Sequence, residues 1–120
     1  MSESELEKKK QDKRDRKEFN RTLVAVGEEN EPLVGRLMAT GSNPDAVEDA
    51  KHPSGVKGLP GGWSALILAL LRKNLIIARE LLAAGATVDL AKGASRTTAL
   101  MYAAMNNMLD AALLLFEFNA

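Results

Sequence analysis

The feature that most constrains the fold of this chain is a repeat in its last third. Residues 64–86 return as residues 98–120, 34 positions later, and seven of the 23 aligned positions are identical. Seven of the remaining 16 positions exchange one apolar residue for another. A repeat of this length predicts one supersecondary unit stacked on itself, and such stacks commonly form binding surfaces.

Composition and charge exclude several classes of function. The chain of 120 residues is short enough for one domain, and its 16 basic residues balance 16 acidic ones, so no net charge attracts nucleic acid or an anionic membrane. Cysteine is absent, which excludes a disulfide scaffold, a thiolate metal site and a cysteine nucleophile. The charged N-terminus lacks the apolar core of a signal peptide, and the uncharged run near Trp63 is too short to span a bilayer. We therefore expect an intracellular protein, cytoplasmic with the nucleus as the alternative.

Residues 1–18 form a charged tail. Residues 3–18 carry 13 charges, seven basic and six acidic, and Leu6 is the only apolar residue among them. Such a segment has no apolar face to bury, which predicts either disorder or a solvated helix. The basic residues between positions 8 and 17 suit a nuclear-import or RNA-binding patch, but the interleaved acids favour a solvated tail.

Apolar residues recur at helical spacing from Phe19 onward. They predict two short amphipathic helices near residues 20–28 and 32–40. Pro32 suits the first turn of the second helix, where its missing N–H costs nothing, and Gly41 suits the end of that helix.

Residues 43–62 lose this periodicity and contain most of the glycine and proline, which predicts an extended loop. His52 lies in this loop near two acids, Glu48 and Asp49, but one histidine and two acids in a mobile loop make a poor metal site, and we expect an exposed histidine. The glycines of the loop lack the spacing of a phosphate-binding loop. No nucleophile has a partner base at a recognisable spacing. We therefore predict no enzyme activity, no cofactor and no metal.

Each copy of the repeat predicts a helix, a turn and a second helix. In both second helices, leucine and alanine at three- and four-residue spacing predict a buried face. Gly85 suits the end of the first copy, because glycine enters the left-handed conformation without penalty. The four predicted helices are residues 64–72, 75–84, 98–106 and 109–118.

The repeated residues resemble a known family. Gly-Trp-Ser-Ala-Leu-Ile-Leu-Ala at 62–69, followed by Leu-Leu-Ala-Ala-Gly-Ala at 81–86, is similar to the ankyrin repeat pattern Gly-x-Thr-Pro-Leu-His-x-Ala and its Leu-Leu-x-x-Gly-Ala close. The second copy is similar to another such repeat, and the segment after Phe19 resembles a diverged first repeat. The resemblance implies an all-α solenoid of three stacked helix-turn-helix pairs joined by hairpin fingers. Its repeats cover residues 19–45, 61–89 and 95–120.

The chain departs from the family pattern at several positions. Alanine replaces the family proline in both copies, and Ile67 and Met101 replace its histidine, whose hydrogen bonds are therefore missing. Lys73 and Asn107 replace the glycine between the helices, and lysine pays roughly 1 kcal/mol in the left-handed conformation that asparagine tolerates. Asn119 stands where Gly85 ends the previous copy. These departures predict an intact architecture of modest stability.

The resemblance implies a non-enzymatic module that binds a partner protein through finger tips and the concave helix face. The alternative is a regulatory or targeting segment of a longer enzyme, such as a kinase or a ubiquitin ligase. Trp63 is the strongest candidate contact, because tryptophan dominates interface energetics, although a tryptophan at a loop–helix junction often packs on its own domain. The candidate contacts are Pro60, Gly61, Trp63, Ala94, Ser95 and Thr97 in the fingers, and Leu71, Arg72, Met105 and Asn106 at the helix ends.

The connection between the first two repeats is about ten residues longer than the usual finger. Insertions in such arrays fall on the edge that often binds partners, but lengthening a surface loop costs little, and glycine and serine here favour a mobile insertion.

The predicted last helix is apolar nearly all round, as a helix packed on both sides is. We expect further repeats or another chain to cover Leu113, Phe116 and Phe118. Alone, the segment is expected to self-associate, because monomers rarely expose several large apolar side chains together.

Overall fold

The computed structural model describes residues 2–91 and 96–118, and this part of the chain contains six α-helices and no strand longer than a single bridge. The all-helical repeat fold is confirmed, and five of the six helices begin and end within one residue of the predicted limits. The helices are α1 (Glu3–Gly27), α2 (Glu31–Ala39), α3 (Ala65–Leu71), α4 (Leu75–Ala83), α5 (Ala99–Met105) and α6 (Leu109–Glu117).

The helices form three stacked pairs. Each first helix packs against the second helix of its own pair, α3 lies between α1 and α5, and α2 lies beside α4. The middle pair contributes most to the core, since every residue from Ser64 to Leu70 is buried. Ala65 and Ala69 keep the helix axes close together, as small side chains on a helix face do.

Most helices after α1 begin at a side-chain cap. Ser64 Oγ accepts from the Ile67 N–H at 3.2 Å, and Thr98 Oγ1 accepts from the Met101 N–H at the same distance. Asn30 and Asn74 cap α2 and α4 in the same way. Met108, the residue equivalent to Asn74, provides no such hydrogen bond to α6. The N-cap residues satisfy backbone N–H groups that the first turn leaves unpaired.

The turns between paired helices require a left-handed residue. Lys73 and Asn107 have φ values of 58° and 53°, which confirms the conformation predicted for them. Glu29 occupies the same place in the first pair, with φ of 54°. Gly85, with φ of 100°, ends the second repeat as predicted.

The first helix differs most from its predicted limits, because α1 runs through the charged tail, for which a solvated helix was one of two expectations, as well as the first repeat. Ser2 caps it, and every residue from 3 to 15 is exposed on a helix of 25 residues. Its C-terminal part is anchored in the core by Leu23 and Val26. Adding turns to a helix that has already formed avoids the cost of nucleation, so the charged residues continue it without burying an apolar face.

The insertion between the first two repeats is organised around the buried side chain of Glu48. This side chain is 4% exposed, and its carboxylate accepts hydrogen bonds from the backbone N–H and the hydroxyl of Ser54, at 2.7 and 2.6 Å. The backbone of Glu48 exchanges hydrogen bonds with Gly62 and Trp63. Val56 packs on the core as well. The insertion therefore has specific anchoring contacts that its glycine and serine content did not predict.

Candidate functional site

Trp63 lies between the insertion and the N-cap of α3, and its side chain is half-buried. Its ring contacts Tyr102 of the next repeat in an edge-to-face pair, with the centroids 5.5 Å apart and the planes at 74°. Such pairs stabilise a structure beyond the apolar area that they bury. Trp63 thus packs on its own domain and still presents part of its ring to solvent.

Tyr102 extends this aromatic pair onto the exposed side of α5. Met105 follows three residues later, on the same side of the helix, and is 68% exposed. Asn106 is exposed as well, and its side-chain N–H donates to the backbone oxygen of Tyr102 at 2.9 Å. Trp63, Tyr102 and Met105 are called the aromatic–methionine surface below.

Arg72 occupies in the second repeat the position that Asn106 occupies in the third. Its Nε donates to the backbone oxygen of Gly27 at 3.0 Å, which ties the end of α3 to the end of α1. Leu71 beside it is half-buried. These two predicted contacts are accessible in part, but Arg72 also holds two repeats together.

The finger residues differ in how much surface they offer. Pro60 is exposed, and Gly61 is half-buried against Ala50, where a Cβ atom at position 61 would lie 2.7 Å from the Cβ of Ala50. Thr97 precedes the N-cap of α5 and is only 9% exposed, so it offers a partner little surface. The predicted contacts Ala94 and Ser95 lie outside the described residues.

The outer side of the third pair exposes a second group of apolar side chains. Leu113 and Phe116 are each 58% exposed. Phe118 is half-buried, and the guanidinium of Arg79 lies 6.0 Å from the centre of its ring while also pairing with Glu117 at 2.9 Å. The exposed large residues Met101, Leu109, Leu113 and Phe116 are called the end face below.

Two equivalents of end-face residues in the second repeat are buried, whereas the end-face residues themselves are exposed. Ile67 is the equivalent of Met101 and is 1% exposed, whereas Met101 is 49% exposed. Leu82, the equivalent of Phe116, is buried too. Sequence reasoning named Leu113 and Phe116 but missed Met101, Leu109 and Tyr102. The 34-residue alignment carried the signal for Met101, since it pairs this residue with an apolar residue of the previous repeat.

Among the described residues, two carboxyl groups have shifted pKa values, and both belong to the scaffold. The pKa of Asp49 is lowered chiefly by the backbone N–H of Lys51, which donates to its carboxylate. Burial raises the pKa of Glu80, and the nearby carboxylate of Glu31 raises it further. Glu80 Oε2 is buried and has no hydrogen-bond partner. It lies 3.6 Å from where a Cβ atom of Gly35 would stand, at the contact of α2 and α4.

The described residues contain no group of three or more histidine, cysteine, aspartate or glutamate side chains placed to hold a metal ion. His52 is exposed, and its backbone N–H donates to the Asp49 carboxylate at 3.3 Å. None of the described helices combines the length and apolar character that crossing a membrane requires.

Comparison with known proteins identifies the repeat. A family model described as ankyrin repeats, in three copies, matches residues 22–120. A search of curated proteins found no match to the chain. The family match begins within α1, so residues 2–21 lie outside it.

Proposed function

Because this chain belongs to the ankyrin repeat family, whose repeats form protein–protein interaction modules and are generally non-enzymatic, we propose that it binds a partner protein through the aromatic–methionine surface. The observation that carries this proposal is the exposure of Met105 beside the Trp63–Tyr102 pair. Aromatic rings and methionine supply a large apolar contact area, and methionine adapts its shape to a partner. Pro60 and Asn106 border this surface in the proposal, as accessible contacts from a finger and a helix end.

A site-specific photocrosslinker tests which surface meets the partner. We place the crosslinking amino acid at Met105 in cells and, as a matched control, at Ala84, which is exposed at the end of α4. The proposal expects a defined crosslinked protein from position 105 and none from position 84. The same product from both positions, or from neither, contradicts it.

Trp63→Ala then measures how much the aromatic pair contributes. With the crosslinked partner purified, the substitution is expected to weaken binding by about 2 kcal/mol or more, as truncation of a central tryptophan does. Pro60→Ala serves as the rim control, with an effect of about 0.5 kcal/mol or less. An unchanged affinity for Trp63→Ala would show that the ring contributes only to packing within its own domain.

We propose in addition that the end face stacks against another helix pair of the same type. Support comes from the 34-residue correspondence, since Ile67 and Leu82 stand at the equivalents of Met101 and Phe116 in the second repeat, which has a neighbour on each side, and both are buried. Each unit of a solenoid buries its apolar side against its neighbour.

Light scattering tests the end face. The chain alone is expected to self-associate as its concentration rises, and the double variant Leu113→Lys, Phe116→Glu is expected to remain monomeric with unchanged helicity. A folded monomer of the unsubstituted chain at high concentration contradicts the stacking proposal.

A further inference from the structure

The charges of α1 alternate in the sequence but separate on the helix. The buried side is marked by Phe19, Leu23 and Val26. At about 3.6 residues per turn, five basic residues fall on the opposite side within an arc of about 100°. All five are exposed and are called the basic face below: Lys10, Lys13, Arg14, Lys17 and Arg21.

Of the acidic residues in the same stretch, Asp12 and Asp15 lie on another side of the helix, and Glu18 borders the basic face. Asp12 and Asp15 line a cleft of about 400 Å³ on the flank that faces the insertion, together with Arg16 and Asp49. The Glu18 carboxylate accepts from the backbone N–H of Asn43 at 2.6 Å. Among the described residues, the basic face has a carboxylate within 4.0 Å only at Lys10, which pairs with Glu7 at 3.9 Å. The interleaving that argued for a neutral tail therefore leaves a continuous positive stripe.

A groove runs along this stripe where α1 meets the end of α2. Its volume is about 380 Å³, and its charged lining consists of Arg14, Lys17 and Arg21 together with Glu18, whose carboxylate already binds the Asn43 N–H. The hydroxyl of Thr40 on the other wall donates to backbone carbonyls of α2, at 3.0 and 3.1 Å, so the cationic groups dominate what the groove offers. Arg14 uses one N–H for Gln11 and keeps others available, since a guanidinium has five.

We propose that the basic face binds an acidic segment of a partner protein, whose carboxylates pair with Arg14, Lys17 and Arg21. The proposal rests on the function as an interaction module, and it adds a second surface, separate from the aromatic–methionine surface, with a stated ligand chemistry. From Lys10 to Arg21 the helix rises about 16 Å, the length of about five residues of extended peptide. Arginine suits this ligand because its planar guanidinium binds a carboxylate in two-point contact.

The structure favours a peptide over nucleic acid for two reasons. The basic face carries no aromatic side chain on which a base could stack, since Phe19 lies on the buried side of α1. On the opposite flank of the same helix, Asp12, Asp15 and Asp49 outnumber the cation of their cleft, Arg16, so a broad polyanion laid across α1 meets repulsion, whereas a narrow extended segment does not.

The test measures binding of a fluorescent oligoglutamate peptide of about six residues to the full chain, by anisotropy. Exposed ion pairs are weak individually and are screened by salt, so binding is expected at about 50 mM salt and is expected to fall by about tenfold at about 300 mM. The double variant Lys17→Glu, Arg21→Glu is expected to weaken it by about tenfold or more. Circular dichroism checks that α1 remains helical, and Lys17→Gln, Arg21→Gln replaces this variant if it does not.

A control variant with the same change in net charge is Lys8→Glu, Lys57→Glu. Lys8 falls on the side of α1 opposite the basic face, and Lys57 lies in the insertion. This control is expected to retain binding within about twofold. An equal loss in both variants shows unspecific attraction and overturns the proposal, as does the absence of binding to oligoglutamate. Tighter binding to duplex RNA or to anionic vesicles, at the same salt, overturns the choice of a peptide.

The photocrosslink from Met105 separates the two proposals. If oligoglutamate fails to bind while the crosslink persists, the basic face is wrong and the interaction module stands. If the crosslink is lost while oligoglutamate still distinguishes the two double variants, the basic face stands and the aromatic–methionine surface is wrong.

Discussion

The second and third helix pairs have the same local geometry and very different burial. Ser64 and Thr98, their first N-caps, have identical backbone angles, with φ of −91° and ψ of 165°. Yet Ile67 in the second pair is buried, and Met101 at the same place in the third pair is exposed. Helix pairs in a solenoid bury each side only when a neighbour covers it. Similar sequences therefore give helix pairs of the same local geometry, while the position of a pair in the stack decides which of its residues are buried.

The largest expected effect comes from truncating these two equivalent side chains. Ile67→Ala is expected to lower the free energy of unfolding by about 3 kcal/mol or more, because it leaves a cavity in the hydrophobic core. Met101→Ala is expected to cost about 1 kcal/mol or less, because its side chain is half in solvent. Urea denaturation followed by circular dichroism measures both. Equal losses in the free energy of unfolding at the two positions would contradict the difference in burial and show that the end face is covered in solution.

A smaller effect is expected at the left-handed turn residues. Lys73→Gly is expected to stabilise the chain by about 1 kcal/mol, because glycine adopts this conformation without a penalty from Cβ. Asn107→Gly is expected to change stability by about half as much or less, since asparagine tolerates the conformation better than lysine. Thermal unfolding of the two single variants gives the ranking, and a larger gain at Asn107 would contradict the steric explanation.

The smallest effect concerns Glu80, whose equivalent in the third pair is the buried Leu114. Since the pKa of Glu80 is raised above its ordinary 4.5, the folded state holds its proton more tightly than the unfolded state does. Its ionisation therefore lowers stability as pH rises from 4.5 through the folded pKa, and the penalty persists above it. Glu80→Gln is expected to remove this part of the pH dependence, with a modest gain at neutral pH.

Unfolding curves of the chain and of Glu80→Gln between acidic and neutral pH provide the measurement. Glu31→Gln serves as the control, since it removes the neighbouring charge while leaving Glu80 buried, and it is expected to remove a smaller part of the dependence. Identical pH profiles for Glu80→Gln and the unsubstituted chain would show that solvent reaches this carboxylate and removes the cost of ionising it.

Much of the fold could be predicted because its signals are local. The 34-residue period, the caps at Ser64 and Thr98 and the left-handed turns at Lys73 and Asn107 each depend on a few neighbouring residues. The candidate surface was predicted in part. Trp63 and Met105 came from positions in the repeat, whereas Tyr102 was missed because its role depends on a contact between two repeats. The low exposure of Thr97 was not predicted, because burial depends on packing that the finger pattern does not encode.

The sequence by itself determined the helix pairs, their caps and their turns, since backbone dihedral preferences and short-range hydrogen bonds decide these. Only the folded structure showed the buried anchor of the insertion at Glu48 and, of the two states expected for the charged tail, a helix whose turns separate its charges into a basic face. Each of these depends on residues that are distant in the sequence or on different turns of a helix. Packing in the core and helix formation, not adjacency in the sequence, decide which of them come together. The charges of α1 show this most directly. They alternate in sign along the sequence, and the helix places five of the basic residues on one side.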